Sequence, residues 1–87
     1  MEKAIVVNIY PLTSRPQMAV VIQRLCGYTV CVISNTMPVK QGQVFYHNEY
    51  PRGVWRFADS DDVFPANITG HMTLNEAEIA VRNILTL

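Results

Sequence analysis

Charge of either sign is scarce in this chain. Its 87 residues include 7 Lys and Arg and 7 Asp and Glu, so 16% are charged and the formal net charge is +0. A protein that grips nucleic-acid phosphate by charge, or an acidic decoy of one, carries a clear excess of one sign, and neither excess is present. Glycine is sparse too, with 4 residues, and none lies in a loop suited to cradling phosphate. Cysteine is limited to Cys26 and Cys31. If the residues between them run extended, their Cα atoms stand beyond the ~7 Å limit for a disulfide. A reduced, partly buried thiol pair is therefore expected. No apolar run approaches the ~18 residues of a membrane span. The start, MEKAIVVNIYP, has too short an apolar stretch for a signal peptide and no small-residue cleavage site. A cytoplasmic location without membrane contact is expected, which makes the sequon Asn67-Ile68-Thr69 coincidental.

What is present is enough to fold. A hydrophobic fraction of 49% argues against disorder. Residues 1–87 read as a single domain, able to bury roughly 60 to 65% of its unfolded surface. Low charge also leaves apolar surface to spare, so a partner or a homo-oligomer is expected.

The stretch Ala4 to Tyr10, AIVVNIY, is rich in β-branched residues and ends at Pro11. It reads as a strand with burial on both faces. Residues 16–26 admit two readings. Ser14 with Gln17 resembles a helix start, Pro16 suits a first turn, and Gly27 suits a stop. Met18, Val21, Ile22 and Leu25 then share one helical face. Against this, Val20, Val21 and Ile22 are consecutive β-branched residues. The end signals and the spacing favour a helix.

Tyr28 to Ser34 reads as a strand. Gln43 to Tyr50 and Val54 to Ala58 read as two more, joined by a Pro51-Arg52-Gly53 turn. After a polar loop, Thr73 caps a helix and Glu76 completes a capping box. Leu74, Ala77, Val81, Ile84 and Leu85 form its apolar stripe, and Glu78 and Arg82 an i, i+4 pair. The expected fold class is α+β: a small single domain of β-α-β-β-β-α order, with an antiparallel-rich sheet and two helices packed on one face.

The stretch VFYHNEYPRGVWRF, residues 44–57, holds five of the eight aromatic side chains and two of the seven Lys and Arg. A three-residue loop sets Tyr50 across from Val54, Asn48 across from Arg56 and Tyr46 across from Ala58. Phe45, His47, Glu49, Trp55 and Phe57 then point the other way. If Phe45, Trp55 and Phe57 pack on the helices, Tyr46, Tyr50 and Arg56 meet solvent, with Arg52 at the tip. The reverse register would expose Trp55 and both phenylalanines. The first arrangement is expected, because Tyr tolerates a wet end better than Phe. Tyr, Trp and Arg are the residues enriched at binding hot spots.

No catalytic constellation is apparent. Cys26, Cys31, His47 and His71 match no compact zinc spacing. A pairing of His47 with Cys31 lacks a helix-start cysteine and an oxyanion-type glycine loop. Asp59, Asp61 and Asp62 lack the glycine and closing Glu of a calcium loop. Neither an enzyme nor a bound metal or cofactor is expected.

From residue 15 to 87 the order α-β-β-β-α ends in a helix that begins Thr73-x-x-Glu76-Ala77. In order of elements this resembles a double-stranded-RNA-binding domain. That family places lysines at the start of its last helix to grip phosphate. Here those positions hold Leu74 and Asn75, followed by Glu76, and an acidic side chain at a helix start repels phosphate. The resemblance implies the fold and not the RNA.

By elimination, the reading is a non-enzymatic protein-binding module. It would be a small accessory, adaptor or inhibitor protein, compatible with a viral or mobile-element origin, that occupies a surface of a larger partner. Tyr46, Tyr50, Arg52 and Arg56 are its expected contacts, with Trp55 next if the register is reversed. A nucleic-acid-binding module using the same aromatics is the alternative. Self-assembly through an open edge strand is a third possibility.

Overall fold

In the computed structural model, residues 2–47, 55–59, 63 and 71–86 are described. Among them are five strands and one helix: β1 (Glu2–Pro11), β2 (Gln17–Arg24), β3 (Gly27–Ser34), β4 (Val44–His47), β5 (Trp55–Phe57) and α1 (Leu74–Leu85). The strands form one sheet in the order β3-β2-β1-β4-β5. Every neighbouring pair is antiparallel. The class is α+β, but the expected order of elements is not found.

The difference lies at residues 16–26. Gln17–Arg24 is a strand, paired along its whole length with β3 and through Met18 to Gln23 with β1. It is buried on both sides. Met18, Val20 and Ile22 enter one core, and Val21 packs with Ala77 and Val81 of the helix in another. A strand covered on both faces reads as a continuous apolar run, and within such a run helical spacing arises by chance. The β-branched Val20-Val21-Ile22 run was the true signal, since each of these side chains contributes roughly 1.5–3 kcal/mol when buried. Leu25, assigned to the helical stripe, is 94% exposed in the turn between β2 and β3. With this strand in place, the likeness to the RNA-binding fold also lapses.

The two cores lie on opposite sides of a curled sheet. The inner core draws on all five strands, with Val6, Val20, Ile22, Cys31, Phe45 and Phe57 among its members. The outer core lies under α1, where Val7, Tyr10, Tyr28, Val30 and Met72 surround Val21, Ala77 and Val81. A bulge in β1 allows this. Val6 opposes Ile22 and Asn8 opposes Val21, so Val7 is an extra residue. Ala4 and Val6 before the bulge and Ile9 after it all serve the inner core, an odd spacing that strict alternation forbids. Bulges also bend the strand and sharpen its twist, as a sheet closing on itself requires.

The helix is set as its sequence demands. The Glu76 N–H donates to Thr73 Oγ1 at 3.1 Å, and the Thr73 N–H donates to Glu76 Oε1 at 3.0 Å. The stripe is narrower than expected. Ala77 and Val81 are buried and Ile84 is half-buried, while Leu74 and Leu85 are exposed. One flank of α1 rests on β2 and β3, and no second helix is present among the described residues to cover the rest. Glu78 and Arg82 both face water.

Candidate protein-binding face

The β4–β5 pairing differs from expectation by two residues. Phe45 opposes Phe57, Tyr46 opposes Arg56, and His47 opposes Trp55. Because side chains alternate with a period of two, a two-residue slip preserves both faces. It also brings the Phe45 and Phe57 rings together edge to face, with centroids 4.9 Å apart and planes at 72°, the arrangement that aromatic quadrupoles favour. The Pro51-Arg52-Gly53 turn lies outside the described residues.

The aromatic side of the ribbon does not pack on the helix as expected. Phe45, Trp55 and Phe57 enter the inner core, on the far side of the sheet from α1. Trp55 is 3% exposed, so the register that would have presented it outward is not adopted. Tyr46 and Arg56 are exposed on the outer face. Tyr50 and Arg52 lie outside the described residues.

Strand order adds a residue that the sequence did not point to. Lys3 of β1 opposes Tyr46 on β4, which opposes Arg56 on β5. The three make one row across the outer face, with a phenol ring between two cationic side chains at the ~4.5–5.5 Å spacing of cross-strand neighbours. Beside it, Gln23, Ile5 and Val44 form a second row. Helix α1 lies over β2 and β3. Tyr46 thus remains 38% exposed, and Val63, bridged to Arg56, is exposed beside it.

This face runs into a cleft of about 390 Å³ lined by Glu2, Lys3, Ile5, Gln23, Arg24 and Leu25. Two of its lining residues form an ion pair. Arg24 Nε donates to Glu2 Oε2 at 2.7 Å and Nη2 to Glu2 Oε1 at 2.9 Å. The guanidinium carbon also sits 5.3 Å from the centroid of the Trp55 ring. The hydrogen bonds to Glu2 raise the Arg24 pKa above its ordinary value, against the opposing effect of desolvation. Arg24 is thus a cation that meets both the Glu2 carboxylate and the indole of Trp55, a member of the inner core.

Neither cysteine is in a disulfide. Cys26 is exposed in the β2–β3 turn and Cys31 is buried in the inner core, where desolvation pushes its thiol up to about 11. Such a thiol is protonated and inert at neutral pH. His47 lies on β4 and His71 just before α1. Among the described residues, no three His, Cys, Asp or Glu side chains gather as a metal would require. No helix among them is long and apolar enough to cross a membrane.

Comparison with known protein families, with curated proteins and with solved structures gives no match for this chain.

Proposed function

We propose that this chain is a non-enzymatic protein-binding module, a small cytoplasmic accessory, adaptor or inhibitor that occupies a surface of a larger partner. One observation carries the reading: the outer face of β1, β4 and β5 lies beyond the helix and presents Tyr46 in register between Lys3 and Arg56. Ile5, Val44 and Tyr46 supply an apolar centre, and Lys3, Gln23 and Arg56 a polar rim, which is the usual anatomy of a protein interface. A Tyr held by strand pairing on both sides loses little freedom on binding, and Tyr and Arg dominate hot spots.

The test begins with affinity capture from the native host and mass spectrometry, followed by titration of the partner with Tyr46→Ala and Arg56→Ala. Each variant is expected to weaken binding by ~1–2 kcal/mol with little change in melting temperature. Wild-type affinity in both would remove this face from consideration.

The same row supports a second reading. A ring between two cations is also a platform on which an unpaired base stacks with phosphates alongside. That reading requires affinity for single strands that falls steeply with salt. A gel-shift titration at low salt separates the two, and absence of retardation at micromolar protein ends it.

A further inference from the structure

The two edges of the sheet are built differently. At one edge, β5 is three residues long, carries Arg56, and meets Val63 in a bridge along its outer side. Short length, a charge and a paired outer side are protections that edge strands normally carry. At the other edge, β3 (GYTVCVIS) has eight residues with no charge and no proline, and it pairs with β2 without a bulge. Among the described residues, only Met72 covers it, at its start. The Tyr28 N–H donates to the Met72 carbonyl at 2.8 Å, and the Met72 N–H donates to the Tyr28 carbonyl at 3.1 Å. Tyr28 thus aims its backbone groups away from β2. By the alternation of an antiparallel ladder, Val30 and Val32 do the same. Among the described residues, no backbone group meets those of Val30 and Val32 on that side. The Val32 side chain is 40% exposed.

We propose that β3 pairs edge to edge, antiparallel, with β3 of a second copy of this chain, joining two five-stranded sheets across a two-fold axis at Val32. That axis sets Val32 against itself and Val30 against Ser34, with the Tyr28–Met72 bridge two residues before Val30. Three features select a second copy as the occupant. A two-fold axis makes an antiparallel edge complementary to itself. A formal net charge of +0 sets no repulsion between copies. And β3 has no charged side chain with which to choose a different strand. The surface is separate from the Lys3–Tyr46–Arg56 face, so the two can be tested independently.

Two substitutions address the axis. Val32→Pro removes the edge-facing N–H and leaves the β2 ladder intact. Val32→Lys sets like charges against each other at the axis. Sedimentation velocity over a dilution series is expected to show wild-type protein at about twice 9.9 kDa, dissociating as it is diluted. The Val30 and Val32 amides are expected to exchange with solvent slowly in the dimer and rapidly in the monomer. Val32→Lys should dimerise at least about tenfold more weakly with an unchanged circular-dichroism spectrum, and it decides the matter if Val32→Pro does not fold. A wild-type protein that stays monomeric at every concentration overturns the proposal. So does a Val32→Lys dimer as tight as the wild type.

Discussion

A Cβ placed on Gly27 would lie 2.9 Å from the carbonyl oxygen of Met72. That carbonyl is the acceptor for the Tyr28 N–H, so the approach that ties the entry of α1 to β3 depends on a missing side chain. Gly27 also holds φ +140°, which side-chain-bearing residues rarely adopt. Gly27→Ala should destabilise the fold by about 1–3 kcal/mol. Gly42, at φ +85° with nothing near its missing Cβ, should cost less when changed to Ala, because it incurs backbone strain alone. Urea denaturation of the two variants measures the difference, and equal losses would show that the contact with Met72 contributes nothing.

Arg24 and Glu2 join the end of β2 to the start of β1 by two hydrogen bonds. Arg24→Ala should lower stability by about 1–3 kcal/mol, since it leaves a half-buried carboxylate without its fork and removes the cation from Trp55. Arg24→Lys should recover only part of this, because an ammonium cannot present two parallel donors. Full recovery by Lys in chemical denaturation would mean that charge alone matters here.

The buried Cys31 thiol makes stability fall at alkaline pH. Its folded pKa is raised to about 11 from an ordinary 9.0, so the unfolded chain ionises first. The contribution is complete below pH 9 and is lost as pH rises towards 11. In Cys31→Ala that part of the alkaline slope should vanish, although the variant starts from a lower stability. A thiol reagent at neutral pH should modify Cys26 in the folded protein and reach Cys31 only after unfolding. Rapid modification of both would contradict the burial of Cys31.

Removing the cap tests the one local motif that controls an element. Thr73→Ala should cost about 1 kcal/mol, read as lower helicity and a lower urea midpoint. Hydrogen bonding to the Thr73 N–H, and then to its side chain, holds the Glu76 carboxyl below its ordinary value. Its stabilising contribution is therefore present above pH 4.5 and lost as pH falls through the lowered value. Glu76→Gln should flatten that acid limb.

Some of the fold was legible because its causes are local. The capping box needs only Thr73 and Glu76, and the strands over Ala4–Tyr10 and Tyr28–Ser34 needed only their β-branched side chains. Residues 16–26 are ambiguous in sequence because the helical spacing of Met18, Val21, Ile22 and Leu25 arises within the apolar run of a doubly covered strand, Gln17–Arg24. What separates the two is a second apolar layer, supplied by Ala77 and Val81 from the far end of the chain. The candidate site divides the same way. Tyr46 and Arg56 were visible within one aromatic ribbon, and a two-residue error in its register left their side of the sheet unchanged. Lys3 could not be seen, since nothing near it in the chain points to β4.

The sequence by itself determined where the chain extends, where its last helix begins, and which side chains of the ribbon travel together, because each depends on neighbours a few residues apart. Only the tertiary structure decided which core receives Phe45, Trp55 and Phe57, which strands form the edges of the sheet, and which cations flank Tyr46. Those outcomes follow from strand order and from one extra residue at Val7 that bends the sheet. Both are set by free energy summed over pairings between distant segments, and no short stretch of sequence contains that sum.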